Sequence, residues 1–233
     1  MITLSLSYLL DILVLALAAW ASPMRGWRLF LALFALSWLI GSFNLVIEAV
    51  AFAVMTPQQA LLGAAASAAL FALMSLLVTV GATALKRNDA GIVPARFTAL
   101  RLAGVIVAYL VLYITAGVLI LPYVRKFYPD SSLPTLDLVI TLQVFRALVF
   151  AAGSALLLRG GVRYAPWILG LAFSVLGGIA PLLPDNPFMP LGMRMPHMLE
   201  VGVSNFLFGF VTAILLRSKR AQRSVGVHPA TAI

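Results

Sequence analysis

The stretch PHMLEVGVSNFLFGFVTAILL, residues 196–216, decides how the rest of the chain is read. Its later two thirds are almost unbroken hydrocarbon. A helix rising about 1.5 Å per residue needs roughly 20 apolar residues to cross a membrane core about 30 Å thick, and this stretch has that length. Its first third carries His197, Glu200, Ser204 and Asn205. Ionisable groups inside a span cost about 2.5–3.5 kcal/mol each on insertion scales and turn towards a protein interior or a wet cavity. The stretch therefore reads as a membrane helix with polar work to do at one end.

The same pattern repeats along the chain. Seven apolar stretches qualify or nearly do, at about 4–22, 28–55, 58–85, 98–122, 135–158, 165–184 and 197–216, joined by short connections rich in turn formers, such as SPMRGW, TPQQ and DNPFMPLGMRMP. The chain is 63% hydrophobic and 10% charged, with a mean hydropathy of +1.07; soluble domains carry about 25% charged residues. The expectation is an all-α, polytopic integral membrane protein. A single seven-helix transmembrane domain covers residues 1–220, and a basic, disordered tail that includes His228 covers 221–233. The absence of cysteine excludes disulfides, thiolate nucleophiles and cysteine-ligated clusters. Ala19-Trp20-Ala21 resembles a signal-peptide cleavage site. The absence of a basic n-region, Asp11 inside the apolar run, and Arg25 and Arg28 just after it favour a retained span.

Lysine and arginine sort by side. Twelve fall on one side of the alternating spans: Arg25, Arg28, Lys86, Arg87, Arg96, Arg101, Arg159, Arg163, Arg217, Lys219, Arg220 and Arg223. Three, Arg125, Lys126 and Arg194, fall on the other, and Arg146 lies within a span. Cytoplasmic loops collect such residues, so the N-terminus is expected outside and the C-terminus in the cytoplasm, in a plasma (inner) membrane. The net charge of +9 is then an attraction to anionic lipid at the cytoplasmic face, not to nucleic acid. Trp20, Trp27, Tyr164 and Trp167 are expected at the inner interface, and Tyr8, Tyr123 and Tyr128 at the outer. Gly63 with Ser67, Gly170 with Ser174, and the pair Gly177-Gly178 ahead of Pro181 are small residues of the kind that lets helix backbones approach closely. No internal repeat is visible, so an inverted-repeat architecture is not expected.

Asp11, Glu48, Arg146 and Glu200 lie inside spans, with His197 and Asp137 near span ends. By these boundaries Asp11 and Glu48 are about two turns, and Glu200 about one turn, from the outer ends, with Arg146 near the midplane. Four charges within reach of one depth are expected to share one site. Ser37, Gly41, Asn44 and Glu48 recur at helical spacing, as do His197, Glu200 and Ser204 with Asn205 at the edge of their face. Gln143, Arg146 and Ala147 make a third such stripe, interrupted by bulky Phe150. Asp137 points the other way and reads as a helix N-terminal cap or dipole partner. Plainer roles exist for each group. Arg146 is also read as a structural counter-ion to Glu48 or Glu200, Asn44 and Asn205 as helix-to-helix hydrogen bonders, Asp11 with Ser7 as a solvated helix end, and His197 as a loop residue following a proline.

Two or three carboxylates, one arginine and two asparagines in the outer half fit a cavity that binds or transports a small polar solute, ion or proton. The site residues on this reading are Asp11, Asn44, Glu48, Gln143, Arg146, His197, Glu200, Ser204 and Asn205, and no cofactor is expected. An intramembrane enzyme using His197, Glu200 and Glu48 for acid–base or metal chemistry is a second reading, without an HExxH, a Gly-x-Ser-x-Gly or a paired-Asp motif to support it. A non-catalytic scaffold or accessory subunit is a third. No lysine lies within a span, which argues against a retinal Schiff base despite seven spans.

Overall fold

A computed structural model describes residues 2–85, 95–127, 135–186 and 189–217. Seven helices in it are long and apolar enough to cross a membrane: α1 Ile2–Ala21, α2 Gly26–Ala51, α3 Pro57–Leu85, α4 Ala99–Phe127, α5 Leu136–Arg159, α6 Ala165–Leu182 and α7 Leu191–Leu216. Neighbour packs on neighbour in the ring α1–α3–α2–α5–α4–α7–α6, closed by α6 against α1. Sequence order is therefore not spatial order. α6 is the most enclosed helix and α4 the least.

The helix ends follow the chemistry of their termini. Thr98 caps α4 by accepting from the Arg101 backbone N–H. The odd-numbered helices point their C-terminal carbonyls at the arginine-rich end, where the helix dipole is negative. Arg25 donates to Thr83 O near the end of α3 at 3.1 Å. Arg101 donates to Leu215 O near the end of α7, and Arg159 sits 5.7 Å from the centre of the Phe97 ring. Trp20, Trp27, Tyr164 and Trp167 are exposed near that end, and Tyr8 and Tyr123 near the other.

Two helices are locally wound as π-helix, α2 at Leu39–Phe43 and α6 at Val175–Ile179, and these two segments touch across the ring. In α2 the aromatic ladder shows the extra residue. Phe30, Phe34 and Trp38 stack at i+4 spacing, 6.0 and 5.8 Å apart, and the next ring is five residues on, Phe43 at 5.3 Å. In α6 the cause includes proline, which has no N–H for the carbonyl four residues back. Pro181 so deprives Gly177 O, and Pro184 deprives Ala180 O. Asn205 Nδ2 on α7 donates to the first at 3.0 Å, and Ser7 Oγ on α1 to the second at 2.7 Å. Neighbouring side chains thus supply the donors that the prolines lack, as an apolar surround requires.

The small residues at Gly170 and Gly177-Gly178 lie at close helix contacts. A Cβ on Gly177 or Gly178 would lie 3.2 or 3.1 Å from its nearest neighbour, and one on Gly170 3.1 Å from Phe206 O. The tightest crossing is at Gly209 on α7, where a Cβ would lie 2.3 Å from Leu169 O on α6. Gly63 has open space instead, although Ser67 bonds Ser42 at 2.5 Å.

Three boundaries differ from the sequence reading, and in one of them α4 runs on through Pro122 to Phe127. α2 stops at Ala51, followed by a turn in which Ala53 has φ +55°. α7 starts at Leu191, so His197 belongs to the helix and not to a loop. Pro190 caps it, with its carbonyl accepting from the Met193 and Arg194 N–H groups at 2.9 Å each, and Pro196 within costs one backbone bond without ending the helix. The tail over 221–233 with His228, and Lys86, Arg87, Tyr128, Lys219, Arg220 and Arg223, lie outside the described residues.

Candidate functional site

Arg146 is the centre of the polar interior. It projects from α5 towards α2 and is 4% exposed. Its Nη1 lies 2.8 Å from Glu48 Oε1, its Nε donates to Asn44 Oδ1 at 3.1 Å, and Nη1 also donates to Gln143 Oε1 at 3.2 Å. Its guanidinium carbon is 5.9 Å from the centre of the Tyr109 ring on α4. Of the two counter-ions considered for Arg146, the structure pairs it with Glu48.

Both amides are orphaned on one side. With their oxygens turned to Arg146, Asn44 Nδ2 and Gln143 Nε2 are buried and have no acceptor. A buried donor left unmade costs about 1–3 kcal/mol. The arginine, two amide groups and Tyr109 therefore form a buried cluster rich in hydrogen-bond donors, with one carboxylate against it. Glu48 is the open member of the cluster, its side chain 27% exposed and only three residues from the end of α2.

The other groups expected at a single site are apportioned elsewhere. Glu200 Oε2 pairs with His197 Nδ1 at 2.9 Å. Because α7 starts early, Glu200 sits nine residues into it, about 13 Å along the helix. His197, Glu200 and Glu48 do not converge, and among the described residues no group of three metal-ligating side chains does. Ser204 Oγ turns back to Val201 O at 3.3 Å. Asn205 is occupied with Gly177 O. Asp11 is buried on the α1 face that also carries Ser7, and its Oδ1 has no partner. Asp137 lies in the first turn of α5 and bonds Thr135.

The stripe Ser37, Gly41, Asn44, Glu48 divides. Ser37 approaches Ser75 on α3 at 3.4 Å, whereas Asn44 and Glu48 face Arg146 on α5. The π segment between them is the reason, since a wider turn rotates everything beyond it relative to a continuous α-helix.

Tyr109 and Tyr113 are the residues that the sequence reading did not single out. The Tyr109 ring faces Arg146, and the Tyr113 ring stands one turn along α4, 6.2 Å from that of Tyr109. Their i+4 spacing on α4 was the available signal. One turn from Arg146 the polar interior ends in packed rings from four helices. Tyr109 is 4.5 Å from Phe208, Phe150 is 4.7 Å from Phe173, and Phe150 is 5.3 Å from Phe208.

Arg194 binds down the segment between α6 and α7. Its Nη1 donates to Pro184 O at 2.6 Å and its Nη2 to Asp185 Oδ1 at 2.8 Å. The hydrogen bond and charge of Arg194 hold the Asp185 carboxyl below the usual carboxylate range.

Comparisons with protein-family models, with curated proteins and with solved structures find no match to this chain.

Proposed function

We propose that this multi-pass membrane protein binds a small polar solute through acceptor oxygens, a carboxylate being the simplest, at the cluster made by Arg146, Asn44 and Gln143. The single observation that carries the reading is the pair of buried, acceptor-less amide groups on either side of a buried arginine. An oxygen-bearing ligand satisfies both and adds charge-assisted bonds to the guanidinium. Glu48 holds Arg146 in place and lies nearest the surface, where it can meet a donor or cationic group of the same solute. The lysine and arginine bias orients this opening outward, with the N-terminus outside and the C-terminus in the cytoplasm of a bacterial-type inner membrane. Transport would require the aromatic layer beneath the site to open.

A scaffold role has one observation in its favour: the ion pair and its amide neighbours all come from α2 and α5, so the cluster also fastens those two helices. Thermal shift separates the readings. Wild type in lipid nanodiscs is titrated with acetate, succinate, glycine and taurine. A ligand at 100 times its Kd adds about 2.7 kcal/mol to stability, so at least one should raise the melting temperature, and Gln143→Leu should abolish the rise. A flat response of wild type to all four leaves the fastening role in possession of the cluster.

A further inference from the structure

Asp11 stands apart from this site. It lies mid-helix in α1, nine residues from Ile2 and 5% exposed, with Oδ1 lacking any hydrogen-bond partner. α1 packs against α2, α3 and α6. α3 and α6 carry no ionisable side chain. α2 carries Arg28, which belongs to the arginine-rich end, and Glu48, which is already paired with Arg146. On α1 itself the only other titratable group is Tyr8. Among the described residues no helix packed on α1 offers Asp11 a counter-ion, and an isolated carboxylate in a low-dielectric interior is far too costly to persist.

The surroundings are also unusual in kind. Ser7, one turn nearer the end of α1, bonds the Ala180 carbonyl, which has no donor four residues on at Pro184 and takes a longer bond from the Leu183 N–H at 3.3 Å. One turn deeper, Asp11 stands at the level of the π segment of α6, which α1 also touches. A buried carboxyl with an unpartnered oxygen and no counter-ion on the described helices packed against it is the setting in which an acid keeps its proton.

We propose that Asp11 is a proton-binding carboxyl, a second site distinct from the Arg146 cluster, which carries its proton in the packed bundle and exchanges it with water when the α1–α6 contact loosens. The step is a simple ionisation, with the carboxyl O–H bond breaking, its electron pair staying on Asp11 and the proton passing to water.

The test is the melting temperature of wild type and Asp11→Asn in the same nanodiscs across a range of pH, in sodium and in choline buffers. Asparagine mimics the protonated acid in size. The variant should melt with wild type at acid pH and increasingly above it as pH rises, equally in both salts. A variant that melts below wild type at every pH, or a difference that does not change with pH, overturns the proposal. So does a pH-dependent difference that sodium removes, which would make the site one for a metal cation. Should Asp11→Asn fail to fold, wild type is treated with dicyclohexylcarbodiimide, which adds to protonated membrane carboxyls. An adduct mapped to Asp11 and lost on alkalinisation upholds the proposal, and no adduct at Asp11 overturns it. Neither experiment contains a carboxylate solute, so its failure is separate from failure of the Arg146 site.

Discussion

Replacing Glu48 by Gln should destabilise the protein, and the structure sets the size of the effect. Two unit charges about 4 Å apart interact by about 4 kcal/mol at the effective dielectric of a protein near its surface. Arg146 is 5% and Glu48 27% exposed at the side chain, so water screens the pair from one side only. The Gln oxygen still accepts from the guanidinium, which retains about 1 kcal/mol. Against that, Arg146 becomes a buried cation whose remaining bonds go to two neutral amide oxygens, and breaking such pairs from one side costs about 3–5 kcal/mol. Discounted for the exposure of Glu48, the expected loss is about 2–3 kcal/mol. At about 2–4 °C per kcal/mol for a chain of this size, the melting temperature should fall by roughly 5–10 °C. The assay is tryptophan fluorescence against temperature in nanodiscs, with Arg146→Leu and the double variant Glu48→Leu/Arg146→Leu completing the comparison. The double variant should recover most of the loss, because an apolar pair replaces an ionic one at little cost. Equal melting of Glu48→Gln and wild type would refute the argument, since Glu48 would then not be what neutralises Arg146.

Three further outcomes follow from the same contacts. Asn205→Ala should lose about 1–3 kcal/mol by stranding Gly177 O, and less in a Pro181→Ala background, where the backbone donor returns; additive losses would show that Asn205 acts elsewhere. Gly209→Ala should sharply reduce folded yield in detergent, because its Cβ meets the Leu169 carbonyl at 2.3 Å, while Gly63→Ala, with nothing within 4 Å, should express and melt as wild type. The Asp185–Arg194 link stabilises the connection between α6 and α7 at pH above the ordinary carboxylate range, since the folded carboxyl ionises more readily than the unfolded one. Acidification through that lowered range should remove it, read as faster amide exchange in the first turn of α7, and Asp185→Asn should exchange fast at every pH.

The seven spans were plain in the sequence because span length and apolarity are properties of each segment alone. The polar stripes of α2 and α5 were also visible as stripes, because polar residues recurring at helical spacing on greasy helices stand out. Which acid takes Arg146 was not legible. The choice of Glu48 over Glu200 depends on α2, and not α7, packing along α5 at that depth, and helix order around the ring is a tertiary fact. The sharing of one site by Asp11, Glu48 and Glu200 failed for the same reason. The π segments were legible only in hindsight, in the step from Trp38 to Phe43 and in the prolines of α6. Missing the first made Ser37 look as though it shared a direction with Glu48. His197 was misplaced because Pro196 read as the start of a helix already five residues old.

The four rings of Tyr109, Phe150, Phe173 and Phe208 also decide how the protein meets the membrane voltage. They come from α4, α5, α6 and α7 in turn, so no single helix motion breaches them. If water reaches Arg146 from the side of Glu48, the insulating layer begins at these rings, and most of the potential drops across them and the apolar half beyond. A charged solute settling at Arg146 then senses little of the voltage. A charge driven past the rings would sense nearly all of it, about 2.3 kcal/mol per 100 mV. If the proposed reading holds, solute binding would ignore voltage, whereas any current would depend steeply on it.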